Sequence, residues 1–160
     1  MELEKVFLAL GSNIGDREKN INEALRLLKE KIKDLKVGNI YISKAVGYEN
    51  QPDFYNTVVS GYTNLSPEEL FYFVKGIEKQ IGRIYRFHWG PREIDIDILF
   101  YGNQIIKRDF LEIPHPRLHE RDFVLKPMLD IDADFVHPVL KKTVKELFEE
   151  LRTKSIIGVL

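Results

Sequence analysis

The sequence predicts an α+β fold, an antiparallel sheet with helices packed on its faces. Three observations predict it. Short apolar runs alternate with polar residues, most clearly where Ile94, Ile96 and Ile98 interleave with acids, and that period suits strands with one face buried. Two longer segments instead repeat apolar residues every three to four positions, between recognisable caps. The two kinds of segment follow one another as strand, helix, strand, strand, helix, strand along a chain of 160 residues, enough for one domain with a sizeable core.

Residues 6–10 are a short apolar strand, ended by the turn Gly11-Ser12-Asn13. Asp16 can cap a helix that carries Ile21, Leu25, Leu28 and Ile32 on one side. The next strand covers residues 38–46, where Ile40 and Ile42 alternate with polar neighbours, and residues 47–53, with Pro52, form a loop. Residues 54–64 are rich in Val, Tyr and Thr and predict a strand. Ser66-Pro67-Glu68-Glu69 starts the second helix, with a capping hydroxyl, a proline in the first turn and acids at the positive end of the dipole. Leu70, Phe73, Val74, Ile77 and Ile81 give that helix its apolar face, and Gly82 stops it. A basic loop over 83–92 leads to a strand over 94–101, which turns at Gly102-Asn103 into a short partner over 104–106. The last third is punctuated by proline, with helices near 121–129 and 143–151. This order is the ferredoxin-like split βαβ pattern, and with no linker or repeat it predicts one domain, residues 1–160.

Composition excludes several functions. There is no cysteine, which removes disulfides, thiolate nucleophiles and thiolate zinc sites. With 24 basic against 25 acidic residues, nothing suggests bulk binding to nucleic acid. No apolar stretch approaches the roughly 20 residues that span a bilayer, and the acidic start does not read as a signal peptide. The expectation is a cytoplasmic protein without membrane or nucleic-acid partners. The basic residues are unevenly spread, however: Arg83, Arg86, His88 and Arg92 crowd one segment, with Arg108, Arg117 and Arg121 behind them. A basic pocket on a near-neutral chain suits a small anion.

The strand over 94–101 carries the chemistry. With the isoleucines facing the core, Asp95 and Asp97 share the opposite face, roughly 7 Å apart along the strand. Two carboxylates held so repel unless a cation lies between them, and hard oxygen ligands favour Mg²⁺. Taken alone, the Asp-x-Asp pair is better explained by a solvated strand face. Its setting raises it: His88-Trp89-Gly90-Pro91-Arg92 brings an aromatic ring, a turn and a phosphate-binding cation to the same strand end. Trp89, the one tryptophan, stands among charges in a Gly-Pro loop, where stacking or lid duty competes with a core role. Asn56, at a strand start, has the donors and acceptor that read an amide-like heterocycle edge, against an equal chance that it stabilises a turn. His115 and His119 have a metal-like spacing but no third soft ligand, which favours a phosphate or ribose contact over zinc. His137 reads as structural. No P-loop, kinase glycine loop or nucleophile elbow is present.

Five segments, Gly11-Ser12-Asn13-Ile14-Gly15-Asp16, Gln51-Pro52-Asp53-Phe54-Tyr55-Asn56, Trp89-Gly90-Pro91-Arg92, Asp95-Ile96-Asp97-Ile98 and Pro114-His115-Pro116-Arg117, occur in register along nearly the whole chain. Together they resemble the 6-hydroxymethyl-7,8-dihydropterin pyrophosphokinases of folate biosynthesis. The resemblance implies transfer of diphosphate from ATP to the pterin hydroxymethyl group, with AMP released, by a two-magnesium in-line mechanism. It implies that Asp95 and Asp97 bind two Mg²⁺ ions and that Arg83 and Arg92 join them in catalysis. Glu78, Arg83, Arg86, Trp89, Arg92, Ile98, His115 and Arg121 match positions around ATP. Ser43, Val46, Tyr55, Asn56, Trp89, Asp95 and Phe123 match the pterin wall, with Asn56 on the ring edge and Phe123 stacked on its face. Two departures stand out: Ser43-Lys44-Ala45 replaces a Thr-Pro-Pro-like segment, and Tyr85 stands near a basic position of some members. The expected partners are the two small substrates, with the chain a monomer or a weak dimer. Another metal-dependent transferase using Asp-x-Asp, or a ferredoxin-like RNA-binding module, remain the competing readings, although the basic sheet and paired strand aromatics of the latter are missing.

Overall fold

In a computed structural model of the protein, which describes residues 2–45 and 50–160, the expected caps form and fix the elements between them. β1 (Glu4–Ser12) leads to α1 (Arg17–Leu28), whose first turn is closed by Asp16 accepting from the Lys19 amide at 3.1 Å. β2 (Lys33–Val37), β3 (Tyr41–Ser43) and β4 (Phe54–Thr63) follow, then α2 (Pro67–Ile81). At its start Ser66 and Glu69 exchange bonds in a capping box, and at its end Gly82 takes a left-handed conformation (φ 108°) that other residues rarely adopt. β5 (Asp95–Tyr101) completes the core pattern. β6 (Ile106–Arg108), β7 (Leu111–Ile113), a short 3₁₀ turn (Leu118–Glu120), α3 (Asp122–Asp132), α4 (Val144–Glu149) and β8 (Ile156–Val159) extend it.

The main sheet runs β5-β1-β4-β3-β8, with β2 also on β4, and every pairing in it is antiparallel. This is a ferredoxin-like α+β fold. Val6, Leu8 and Leu10 of β1 face α1 and α2, together with Ile96 and Ile98 of β5. Phe7, Val58, Leu99 and Phe100 face the other way, under α3 and α4. A bulge makes this possible: Leu8 pairs with Ile98 but Phe7 with Phe100, so both Leu99 and Phe100 turn to the second face.

Three expectations are corrected. The strand expected over 38–46 is confined to Tyr41–Ser43, and a strand before it on the same edge of β4, Lys33–Val37, was missed. Gly38 lies at the break because α3 packs there: an added Cβ would sit 2.7 Å from the Pro127 carbonyl oxygen. β2 is mostly exposed, so its sequence carries little apolar alternation. The partner expected over 104–106 does not pair with β5. Ile106–Arg108 pairs instead with Leu111–Ile113 as a separate hairpin. β8, an edge strand with Ile157 and Val159 exposed, was also unforeseen. Ile32 is buried as expected, but in the turn after α1, which ends at Leu28. Val46 and residues 47–49 of the expected loop lie outside the described residues. Among the described residues no helix is long and apolar enough to cross a membrane.

Candidate active site

The site grows from the middle of the sheet. Across three strands, Asp95 pairs with Gly11, and Gly11 with Asn56. Paired residues share a face, so the three stand in a row on the α3 side. Gly11 is needed in that row, because a Cβ there would lie 3.0 Å from the Asn56 Oδ1. Asp97 stands opposite Ala9, another small residue, which leaves open space in front of both carboxylates.

Asn56 is buried, and its Nδ2 donates to the Ser43 hydroxyl at 2.7 Å. That bond fixes the amide in one orientation. Together with Phe54, Trp89, Leu99 and Phe123, these residues line a cleft of about 750 Å³ that reaches both aspartates. A second cleft of about 1020 Å³ carries Arg83, Arg92, Arg117 and Arg121. A third, about 520 Å³, is an apolar groove walled by Phe71, Val74, Ile98 and Phe110, with Lys75 at its side. All three share Asp97 and His115.

Electrostatics set the two aspartates apart. Asp95 accepts from Arg83 at 3.0 Å and from Arg92 at 3.2 Å. Burial opposes its ionisation, yet Arg92 and Arg83 outweigh it and hold the carboxyl below its usual range. Among the described residues no cation bonds to Asp97 in this way. Burial, and then the neighbouring charge of Asp95, push it up to about 7. Among the described residues no third His, Cys, Asp or Glu gathers here into a metal cluster. Two carboxylates with open space before them fit Mg²⁺, which keeps waters and takes substrate phosphates as ligands. His115 is pushed down to about 4, mainly by burial and then by Arg121. Its Nδ1 accepts from the Arg117 amide at 3.2 Å, so the neutral ring presents its other nitrogen as a donor.

Behind the site lies a buried carboxylate. Glu78 of α2 accepts from the Ile96 amide and from Arg83, each at 2.7 Å, and from Lys75 at 3.2 Å. Arg83 thereby bridges Glu78 and Asp95. Burial works against its charge, but Asp95 and Glu78 more than offset that and raise its pKa.

The structure gathers Asp95, Asp97, Arg83, Arg92, Trp89, His115, Arg121, Ser43, Asn56 and Phe123 around the first two clefts, and the other described members of the expected set stand at a rim, in a wall of the groove or behind the site. Glu78 is turned into the α2–β5 interface, so it acts on the site through Arg83. Ile98 is a core side chain that shows one edge to the apolar groove. Arg86 stands on the rim of the arginine cleft, tied to Glu93 at 2.7 Å and to the carbonyls of Ile84 and Pro91. Its hydrogen bond is the main reason that Glu93 is held down to about 2. Tyr55 is a correction. Adjacent strand residues point to opposite faces, and Tyr55 lies on the side away from Asn56, with the Arg17 guanidinium 4.1 Å above its ring.

Sequence reasoning missed two contributors. Asn13 is fully buried and joins three segments: its Nδ2 donates to Gln51 at 2.7 Å and to the Pro52 carbonyl, and its Oδ1 accepts from the Arg92 amide at 2.9 Å. It therefore holds the loop before β4 and the basic loop in fixed relation, whereas its sequence context shows only a turn. Arg117 places its guanidinium 5.6 Å from the Trp89 ring, a contact visible only once the two loops meet.

The sequence model of the 7,8-dihydro-6-hydroxymethylpterin-pyrophosphokinase (HPPK) family matches residues 7–133. The chain belongs to this family. It is an enzyme, a pyrophosphokinase of folate biosynthesis. A 2-amino-4-hydroxy-6-hydroxymethyldihydropteridine pyrophosphokinase from Aquifex aeolicus (strain VF5) is 44% identical over 155 residues, which cover 97% of either chain. The enzyme of that name from Bacillus subtilis (strain 168) is 43% identical over 127 residues, 78% of this chain and 76% of its own. Among solved structures, wild-type HPPK-DHPS of Plasmodium falciparum superposes with a TM-score of 0.73 at 17% identity over 93% of this chain. That likeness is one of fold, and this chain spans 45% of the Plasmodium protein's length.

Proposed function

We propose that the pyrophosphokinase moves diphosphate from ATP to the hydroxymethyl group of 6-hydroxymethyl-7,8-dihydropterin and releases AMP. One observation carries the reading: three clefts of different character meet at Asp97 and His115. The first suits a flat, amide-edged ring, with Asn56 held by Ser43 to read the edge and Phe123 and Trp89 to cover the faces. The arginine cleft suits a triphosphate, and the apolar groove beside it suits a nucleobase.

Two Mg²⁺ ions held by Asp95 and Asp97 would neutralise phosphate charge and lower the pKa of the pterin hydroxyl. A cation also answers the electrostatics of the pair, where burial and mutual repulsion oppose a second charge. The pterin hydroxyl oxygen gives up its proton to solvent and forms a bond to the β-phosphorus, while the bond from that phosphorus to the α–β bridging oxygen breaks and leaves that oxygen on AMP. Arg83 and Arg92, fixed on Asp95, stand where charge develops on the departing AMP. Neutral His115 donates a hydrogen bond without adding charge, and Asn13 holds the two loops in register around the bound substrates.

The test is product analysis. Purified protein with ATP, Mg²⁺ and 6-hydroxymethyl-7,8-dihydropterin should give one AMP per diphosphorylated pterin. ADP in place of AMP would refute diphosphate transfer.

A further inference from the structure

The chain after α4 makes an unusual set of bonds. Two walls of the first cleft come from separate parts of the fold: Ser43 at the end of β3 with Lys44 after it, and Arg121 and Phe123 from the start of α3. Far from the cleft the two elements are joined by the Tyr41 hydroxyl, which donates to Asp130 at 2.9 Å. Near it, the C-terminal segment joins them. The Lys44 amide donates to the Ser155 carbonyl at 2.9 Å, and Ile156 pairs with Ser43. The same two residues bind α3: the amides of Ser155 and Ile156 donate to one Asp122 oxygen at 2.7 and 3.0 Å, and the Ser155 hydroxyl donates to the other. Thr153 adds a bond to the Glu120 carbonyl at 3.1 Å.

Asp122 is 7% exposed. A carboxylate at a helix start ordinarily caps or faces solvent, and its charge there favours the dipole in either case. This one is buried, and three donors more than thirty residues away in sequence satisfy it. Burying a charge is tolerated only with such partners, so the bonds hold Asp122 and Ser155 in one geometry. Asp122 does not line the cleft, but both of its chain neighbours do.

We propose that residues 153–160 are a strap that sets the width of the pterin cleft, with Asp122 as the positioning residue that ties it down. Through Asp122 the strap fixes Arg121 and Phe123, and through β3 it fixes Ser43 and with it the Asn56 amide. This rests on the first cleft's being the pterin site.

Calorimetric titration of the whole enzyme with 6-hydroxymethyl-7,8-dihydropterin tests it, beside thermal melting. Asp122→Asn keeps the volume but turns an amide group toward donors. It should weaken pterin binding by about tenfold or more, the scale of a lost hydrogen bond to a charged group. Ser155→Ala keeps both amide bonds, should fold normally and should weaken binding about threefold. Leu147→Ala, in the core beneath α4, is the control: it should lower the melting temperature and leave the pterin Kd unchanged. Asp122→Asn and Ser155→Ala variants that melt lower but bind pterin like the parent would overturn the strap. If the parent itself binds no pterin while still binding ATP, the cleft assignment fails first and the strap with it. If Leu147→Ala weakens pterin binding as much as Asp122→Asn at equal loss of stability, the effect is general loosening and the proposal is wrong.

Discussion

Glu78→Ala is the substitution whose consequence the structure fixes most fully. Glu78 is 4% exposed and its carboxylate holds the Ile96 amide, Arg83 and Lys75. Truncation leaves a buried amide without an acceptor and removes one of the two anions around Arg83. Breaking a buried ion pair costs about 3–5 kcal/mol, and Arg83 keeps Asp95 and some solvent, so the low end, about 3 kcal/mol, applies. For a chain of this length that is a melting shift of roughly 6–12 °C. Glu78→Gln retains an oxygen for the Ile96 amide but loses the charge opposite Arg83, and should fall between the parent and Glu78→Ala. Thermal melting and urea titration at constant m-value measure both. Turnover should drop with Arg83 displaced, while the ATP KM changes little, since Glu78 does not face a cleft. An unshifted melting temperature with a large rise in ATP KM would refute the reasoning and make Glu78 a direct nucleotide contact.

Asp97→Asn should lower turnover on the order of 100-fold or more while leaving the fold intact. In chelator-treated parent protein, Asp97 binds its proton more tightly folded (up to about 7) than unfolded, so its contribution to stability declines as pH rises from about 4 to 7. The Asn variant should lack that slope in urea titrations at the two ends of the window, and an identical slope would remove the assignment. NMR titration of the His115 ring should give a pKa of about 4, and the pH–rate profile should show no inflection from it near 6.5. A midpoint near the ordinary histidine value would mean a wetter site. Trp89→Ala should shift melting by less than about 2 °C and weaken pterin binding about 3–10-fold, the scale of one aromatic contact. A large melting loss without a binding defect would make Trp89 a core residue.

Much of the fold was legible because its signals are local. Ser66 and Glu69 form their capping box, Gly82 ends α2, and β5 alternates as its isoleucines and aspartates require. What escaped was governed by distant neighbours. β2 and β8 are edge strands with exposed residues, so neither shows a strong buried face, and the break at Gly38 is set by α3, some ninety residues later. The site divided the same way. Asp95 and Asp97 share a face by strand geometry alone. The placing of Tyr55 failed although strand alternation sends its ring to the face opposite the Asn56 amide, under the Arg17 guanidinium.

The sequence by itself determined the capped helices, the central strands, the pair of carboxylates on one strand face and the resemblance to the family, because caps, strand period and short motifs each depend on residues a few positions apart. Only the tertiary structure decided which charges cancel. Asp95 is neutralised by two arginines while Asp97 is not, Glu78 serves the interface rather than the cleft, and Asp122 ties the C-terminal segment to the start of α3. Those outcomes rest on burial and on distances between residues far apart in the chain. Solvation and Coulomb energies depend on them, and no local pattern encodes them.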